Sequence, residues 1–199
     1  MKLELLDWKR QIAELYARVR AAPDAAAAWR EWREVRDELF ASHPESPLDP
    51  SRRDRFQGLR YFDYDPAVRV LAAVEPADPA EIQIPVSRGE THRFTRFGHA
   101  RFDLYGEPRS LAIYWLEGYG GGAYLPFADA TSDMTTYGAG RYLLDTVKGA
   151  DLGAQGEQLV LDFNFAYNPS CAYDPRWACP LAPVENRLPV EVRAGERLP

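Results

Sequence analysis

Cysteine, histidine and methionine are scarce in this chain, whose 199 positions hold two, three and two of them respectively. Two cysteines cannot build a disulfide framework, and one local bridge between Cys171 and Cys179 is the most the chain could form. Their separation by seven residues is also wrong for a zinc pair, which prefers roughly two to four intervening positions. Only His43, His92 and His99 are left to complete a soft-ligand set, so no metal and no cofactor is expected. Asp129, Thr131, Asp133 and Asp145 offer oxygen, yet without the alternation ending in glutamate that a calcium loop requires, and they read as turn residues. Long apolar runs are missing too. Nowhere do about 18 apolar residues follow one another, and Glu4 and Asp7 interrupt the segment where a secretory signal would need an unbroken apolar stretch. The expectation is a cytoplasmic chain with free thiols and no membrane partner. An excess of positive charge is absent as well. With a formal net charge of -6, a pI near 5.2 and no basic run interleaved with aromatics, the composition argues against a nucleic-acid partner. The Gly-rich stretch ending at Gly122 lacks the Gly-Lys-Ser/Thr ending of a phosphate loop and lies between two strand-like segments, so it reads as a hairpin turn.

What remains is an ordinary globular composition, 46% hydrophobic and 27% charged, enough to bury one continuous core in a single domain. Residues 1–44 read as a helical arm. Leu3, Leu6, Ile12, Leu15, Tyr16 and Val19 recur at helical spacing, Pro23-Asp24 breaks the pattern, and an alanine-rich helix follows with Trp29, Trp32, Leu39 and Phe40 on its apolar stripe. Residues 45–80 read as an irregular connection, with a helical turn near Arg52 and an aromatic stretch at 56–64 that fits neither period. From 81 onward, alternation and β-branched or aromatic enrichment mark strands at 81–86, 93–105, 110–116, 123–127, 135–146, 158–166 and 189–193. Short glycine-containing turns favour antiparallel hairpins between them. The fold expected is therefore mainly β (α+β): an antiparallel β-barrel or sandwich, with an N-terminal helical hairpin whose tryptophans pack on the sheet.

A candidate site emerges near the C-terminus. Over 158–166, alternation puts Leu159, Leu161, Phe163 and Phe165 on one face and Asp162 and Asn164 on the other. Arg141 shares a face with Leu143 and Asp145, so pairing of these segments as neighbours would bring Arg141 to Asp162. The competing reading leaves Asp162 and Asn164 facing solvent or tying down the following loop. The proline-interrupted run from Tyr167 to Pro189 cannot be a regular helix or a central strand and reads as an ordered connection, a usual carrier of function. The candidate ligand-binding set is Arg141, Asp162, Asn164, Tyr167, Tyr173, Glu185 and Asn186, polar groups with aromatic walls suited to a small polar or anionic molecule. Two other readings stay open. A hydrolase would use Asp162 or Glu185 as acid or base, Arg141 to stabilise negative charge and Cys171 as nucleophile. An interaction module would pack the helical arm on another subunit of a homo-oligomer.

The strings PFADATSDMTTYGAGRYLLD, LDFNFAYNPSCAY and CPLAPVENRLPVEVRAGE, with WREWREVRDELFASHPESPLD and FQGLRYFDYDPAVRV before them, resemble an uncharacterised bacterial family, domain of unknown function 1684. The resemblance runs from the second helix to the end of the chain. It implies no activity, substrate or catalytic residue.

Overall fold

The computed structural model describes residues 2–199. Helices α1 (Lys2–Ala21) and α2 (Ala25–Ser42) form the expected hairpin. Asp24 caps α2, its carboxylate accepting the backbone N–H groups of Ala26 and Ala27 at 2.9 and 3.1 Å, while His43, turned extended ahead of Pro44, ends it. A single turn, α3 (Pro50–Arg53), starts behind the Asp49 cap.

Seven strands follow: β1 (Arg69–Pro85), β2 (Thr91–Leu104), β3 (Glu107–Leu116), β4 (Ala123–Phe127), β5 (Arg141–Asp145), β6 (Ala154–Gln155) and β7 (Gln158–Asp162). They make one antiparallel sheet in the order β5-β4-β3-β2-β1-β7-β6. The sheet curls without closing by strand pairing, an open barrel. Tyr142 of edge strand β5 exchanges backbone hydrogen bonds of 2.9 and 3.2 Å with Tyr167, which lies past the end of β7.

Several boundaries differ from the sequence reading. β1 begins at Arg69 instead of Glu81, so part of the expected irregular connection is strand. Pro76 and Pro79 disguised it: the pairing with β2 shifts register between Pro76 and Ala80, and a bulge there accommodates residues that cannot donate to a ladder. The 135–146 segment supplies only Arg141–Asp145, and 158–166 stops being a strand at Asp162, whose side chain caps a 3-10 turn over Phe163–Phe165. Residues 189–193 join no strand. Their backbone is satisfied instead by loop partners, Ala130 N–H donating to the Val190 carbonyl at 3.0 Å and Arg141 donating to that of Val192.

The 3-10 turn also redirects side chains. Leu161 and Phe163 enter the apolar interior of the barrel, with Leu111, Leu125, Phe127 and Val192, whereas Val160 and Phe165 belong to an outer cluster between sheet and helices. That outer cluster receives the helical arm. Trp32 is fully buried with its ring centroid 5.2 Å from that of Phe165, and the Trp29 indole N–H donates to the Asn164 carbonyl at 2.9 Å. Burial of side chains this large contributes roughly 1.5–3 kcal/mol each, which is why the arm packs on its own sheet. The close approach of α1 requires Gly149, left-handed at φ +79°, where a Cβ would lie 3.3 Å from the Ala13 Cα.

Candidate functional site

The structure disperses most of the residues expected to form one site. Arg141 and Asp162 do not meet, because β5 and β7 lie toward opposite edges of the sheet with four strands between them. Arg141 is buried in the barrel end, with Nη2 2.6 Å from the Asp129 carboxylate and 3.1 Å from the Val192 carbonyl. Its Nη1 donates to the carbonyls of Ala194 and Glu196. This guanidinium clamps the C-terminal tail, both of its terminal nitrogens being engaged by the protein. Gly195 lets the tail pass: at φ +73°, its missing Cβ would lie 2.6 Å from the Ala166 carbonyl oxygen.

Asp162 sits opposite Arg69 of β1 and pairs with it at 3.3 Å, so the cross-strand ion pair exists with a different arginine. Asn164 bonds both backbone groups of Asp65, at 2.9 and 2.7 Å, which ties down the preceding segment beneath α2. Asn186 accepts from Ala112 N–H at 2.8 Å and donates to the carbonyls of Ala112 and Pro126 at 2.9 and 2.7 Å. It serves as a substitute ladder partner where Pro126 interrupts β4. Glu185, partly exposed, accepts from the Tyr114 hydroxyl at 2.8 Å and pairs with Arg96 at 3.0 Å. Tyr173 packs edge-on against Phe40, centroids 4.9 Å apart, in a small cluster under α2.

Tyr167 is the exception. With Asn168 and Ser170 it walls a cavity of about 50 Å³ enclosed by Trp8, Ile12 and Tyr16 of α1, Arg36 and Phe40 of α2, and Lys148 and Ala150 from the turn after β5. A water-sized group needs roughly 10–15 Å³ on this measure, so the cavity admits a head group and leaves the rest of a molecule toward the mouth.

Its polar lining is unusual. Arg36 lies on the apolar stripe of α2, 6% exposed, its guanidinium carbon 4.7, 5.3 and 5.2 Å from the ring centroids of Trp32, Phe40 and Tyr167. Nη2 pairs with Glu196 Oε2 at 2.9 Å and Nε donates to the Tyr61 hydroxyl at 3.2 Å. Among the described residues Nη1 meets no hydrogen-bond acceptor. Asn168 is fixed by its backbone N–H to Glu196 Oε2, 2.8 Å, and its Nδ2 to the Arg197 carbonyl, 2.7 Å. Around Arg36, Asn168 Oδ1, the Tyr167 hydroxyl and Glu196 Oε1 are buried without a hydrogen-bond partner among the described residues, as are Trp32 Nε1 and, elsewhere, the Nε atoms of Arg33, Arg53, Arg96 and Arg109. Buried polar atoms are rarely left unpaired, and these lie behind the cavity surface, closed to water. Lys148 stands at the solvent side, 43% exposed, 3.3 Å from Asp145 and with Nζ 5.1 Å from the Tyr142 ring centroid.

Burial sets the protonation states. It pushes the Tyr16 phenol up to about 12 and raises that of Tyr167, so both are neutral donors at ordinary pH. For Glu196, burial outweighs the attraction of Arg36 and raises the carboxyl from 4.5 to about 7. The short ion pair and the raised pKa pull in opposite directions; the desolvation of a fully enclosed carboxylate is the larger effect here. The folded chain therefore holds this proton more tightly than the unfolded chain. The stabilisation from neutral Glu196 is complete below about pH 4.5 and is lost as pH rises through about 7. Urea melts of wild type and Glu196→Gln across this window should diverge, wild type losing stability relative to the variant by on the order of 1–3 kcal/mol toward pH 8. Parallel curves would show that Glu196 does not titrate in this range.

Among the described residues no group of three or more histidine, cysteine, aspartate or glutamate side chains could hold a metal ion, and no helix is long and apolar enough to cross a membrane. Residues 54–197 match the family described as protein of unknown function (DUF1684). The chain belongs to that family. A solved structure similar to this DUF1684 protein is the solution NMR structure of the uncharacterized protein from gene locus rrnAC0354 of Haloarcula marismortui. The two are 38% identical over 83% of this chain and 89% of that one, with a TM-score of 0.60. No curated protein matches. The DUF1684 segment contains Lys148, Tyr167, Asn168 and Glu196, while Trp8, Tyr16 and Arg36 come from the arm that precedes it.

Proposed function

We propose that this DUF1684 protein binds a small organic anion whose charged head enters the cavity between the helical arm and the barrel. One observation carries the reading. In a chain of net charge -6, the charged side chains lining this cavity are Arg36 and Lys148, and no carboxylate lines it. Glu196 lies behind Arg36 with its proton held more tightly than usual, and so cancels less of the guanidinium charge near neutral pH.

The remaining lining refines the chemistry. Arg36 and Lys148 supply donors for an anion, and Tyr167 and Asn168 put a phenol and an amide in the lining, suited to a hydroxyl or amide N–H on the ligand. Trp8, Ile12 and Phe40 offer an apolar wall for a hydrocarbon or aromatic body. A hydroxy- or amido-carboxylate of modest size meets all three requirements. The ligand class proposed is the one anticipated from the sequence, set at a different place in the fold.

Thermal melts with paired acids and amides test this. Mandelate should raise the melting temperature saturably and mandelamide should not, since only the acid carries the charge. Lys148→Met should weaken mandelate binding by roughly tenfold or more, the value of a charge-assisted contact, with little change in the unliganded melting temperature. Equal stabilisation by acid and amide would sink the reading.

A further inference from the structure

The cavity wall runs through Ser170 into Cys171, and the loop that follows doubles back to bring Cys179 to the same spot. The Cys171 backbone N–H donates to Cys179 Sγ at 3.3 Å. The Tyr137 hydroxyl lies 3.6 Å from Cys171 Sγ. Ser87 fixes the other end of the loop: its N–H donates to the Cys179 carbonyl at 3.0 Å, and its hydroxyl accepts from the Cys179 N–H at 3.2 Å. Cys171 is half-buried and Cys179 buried, both as free thiols. The arrangement sets the Cys179 sulfur against the Cys171 backbone and a phenol hydroxyl beside the Cys171 sulfur, with Cys171 the more exposed of the two residues.

We propose that Cys171 and Cys179 form a peroxide-reactive dithiol, in which Cys171 is the sulfur oxidised and Cys179 resolves it to an intramolecular disulfide. Division of labour follows from the surroundings. Hydrogen bonds from Cys179 and Tyr137 stabilise a thiolate on Cys171 and bring it down to about 6, while the neighbouring thiolate and burial push Cys179 up, so Cys171 carries the charge and Cys179 the proton.

In the first step the Cys171 thiolate attacks the terminal oxygen of a hydroperoxide and an S–O bond forms as O–O breaks. The alkoxide or hydroxide that leaves takes a proton from solvent; Cys171 becomes a sulfenic acid, oxidised by two electrons, and the peroxide is reduced to alcohol or water. In the second, Cys179 sulfur attacks Cys171 Sγ. The S–S bond forms as S–O breaks, and the departing hydroxide takes the Cys179 proton to leave as water. A dithiol reductant then restores both thiols by exchange and is itself oxidised to a disulfide.

Peptide mass mapping after treatment with hydrogen peroxide decides the matter. Wild type should lose the mass of two hydrogen atoms, yield a cross-linked peptide containing Cys171 and Cys179, and recover on treatment with dithiothreitol. Cys179→Ser should accumulate a sulfenic acid on Cys171 that dimedone traps, and Cys171→Ser should leave Cys179 unoxidised. A measurement on wild type alone guards against misfolded variants: iodoacetamide should label Cys171 at least about tenfold faster than Cys179 at pH 7. Thiols that both survive excess peroxide, a disulfide between chains, or faster labelling of Cys179 would each overturn the proposal.

Discussion

Replacement of Arg141 by leucine is expected to lower the free energy of unfolding by about 3–5 kcal/mol, the range for removing one partner of a buried ion pair. The loss has two parts. Asp129, fully buried, is left charged and without its 2.6 Å partner, and the carbonyls of Val192, Ala194 and Glu196 lose the guanidinium donor that gathers them. Urea denaturation of wild type and Arg141→Leu measures it directly. The tail carries Glu196, which holds Arg36 and Asn168 in place, so the variant should also lose the anion-dependent rise in melting temperature at a temperature where it remains folded. A cost below about 1 kcal/mol, the surface range, would mean that the clamp is not formed in solution.

The second large effect concerns the Arg36 and Glu196 pair behind the cavity. Arg36→Met should cost about 3–5 kcal/mol at pH 8, where Glu196 loses its counterion and must either stay a buried charge or take up a proton. At pH 5 the same substitution should cost measurably less, because the carboxyl, raised to about 7 by burial, is already protonated. In the double variant Arg36→Met with Glu196→Gln no buried charge is left over. Its cost should therefore fall short of the summed single costs by more than about 1 kcal/mol, a coupling expected only of residues in contact. Additive costs, or an Arg36→Met penalty indifferent to pH, would contradict the assignment of charge in this pair.

Much of the fold was legible because its determinants are local. The Trp29, Trp32, Leu39 and Phe40 stripe sets the docked face of α2, Asp24 and Pro44 set its ends, and alternation marks β2, β3 and β4 to within a few residues. The N-terminal half of β1 was hidden because Pro76 and Pro79 are turn residues unless a bulge absorbs them, and that is decided by the partner strand. The residues grouped into one site by sequence are scattered for a related reason. The strand reading of 158–166 assumed alternation to its end, whereas Asp162 caps a 3-10 turn, and the Arg141 to Asp162 contact assumed that sequence neighbours pair, whereas β1 comes between β7 and the rest of the sheet.

Arg36 could have been found. It falls four residues after Trp32 and four before Phe40, an arginine on the buried stripe of a helix, where charge is retained only with a partner or a purpose. Its partner, Glu196, lies 160 residues away, and no local pattern connects them. Lys148 and Asn168 carry no signal of their own, since a lysine in a turn and an asparagine before a proline are ordinary until the arm closes over them.

The claim that this cavity receives an anion is tested most directly by the indole N–H resonances of the chain's five tryptophans. Trp8 lines the cavity, whereas Trp115 is 45% exposed on β3, outside the lining. Titration with mandelate should shift the Trp8 resonance along a saturating curve and leave Trp115 in place, mandelamide should move neither, and Lys148→Met should displace the curve to higher concentration. A Trp8 resonance that does not move, or that moves as far with the amide as with the acid, would contradict the account.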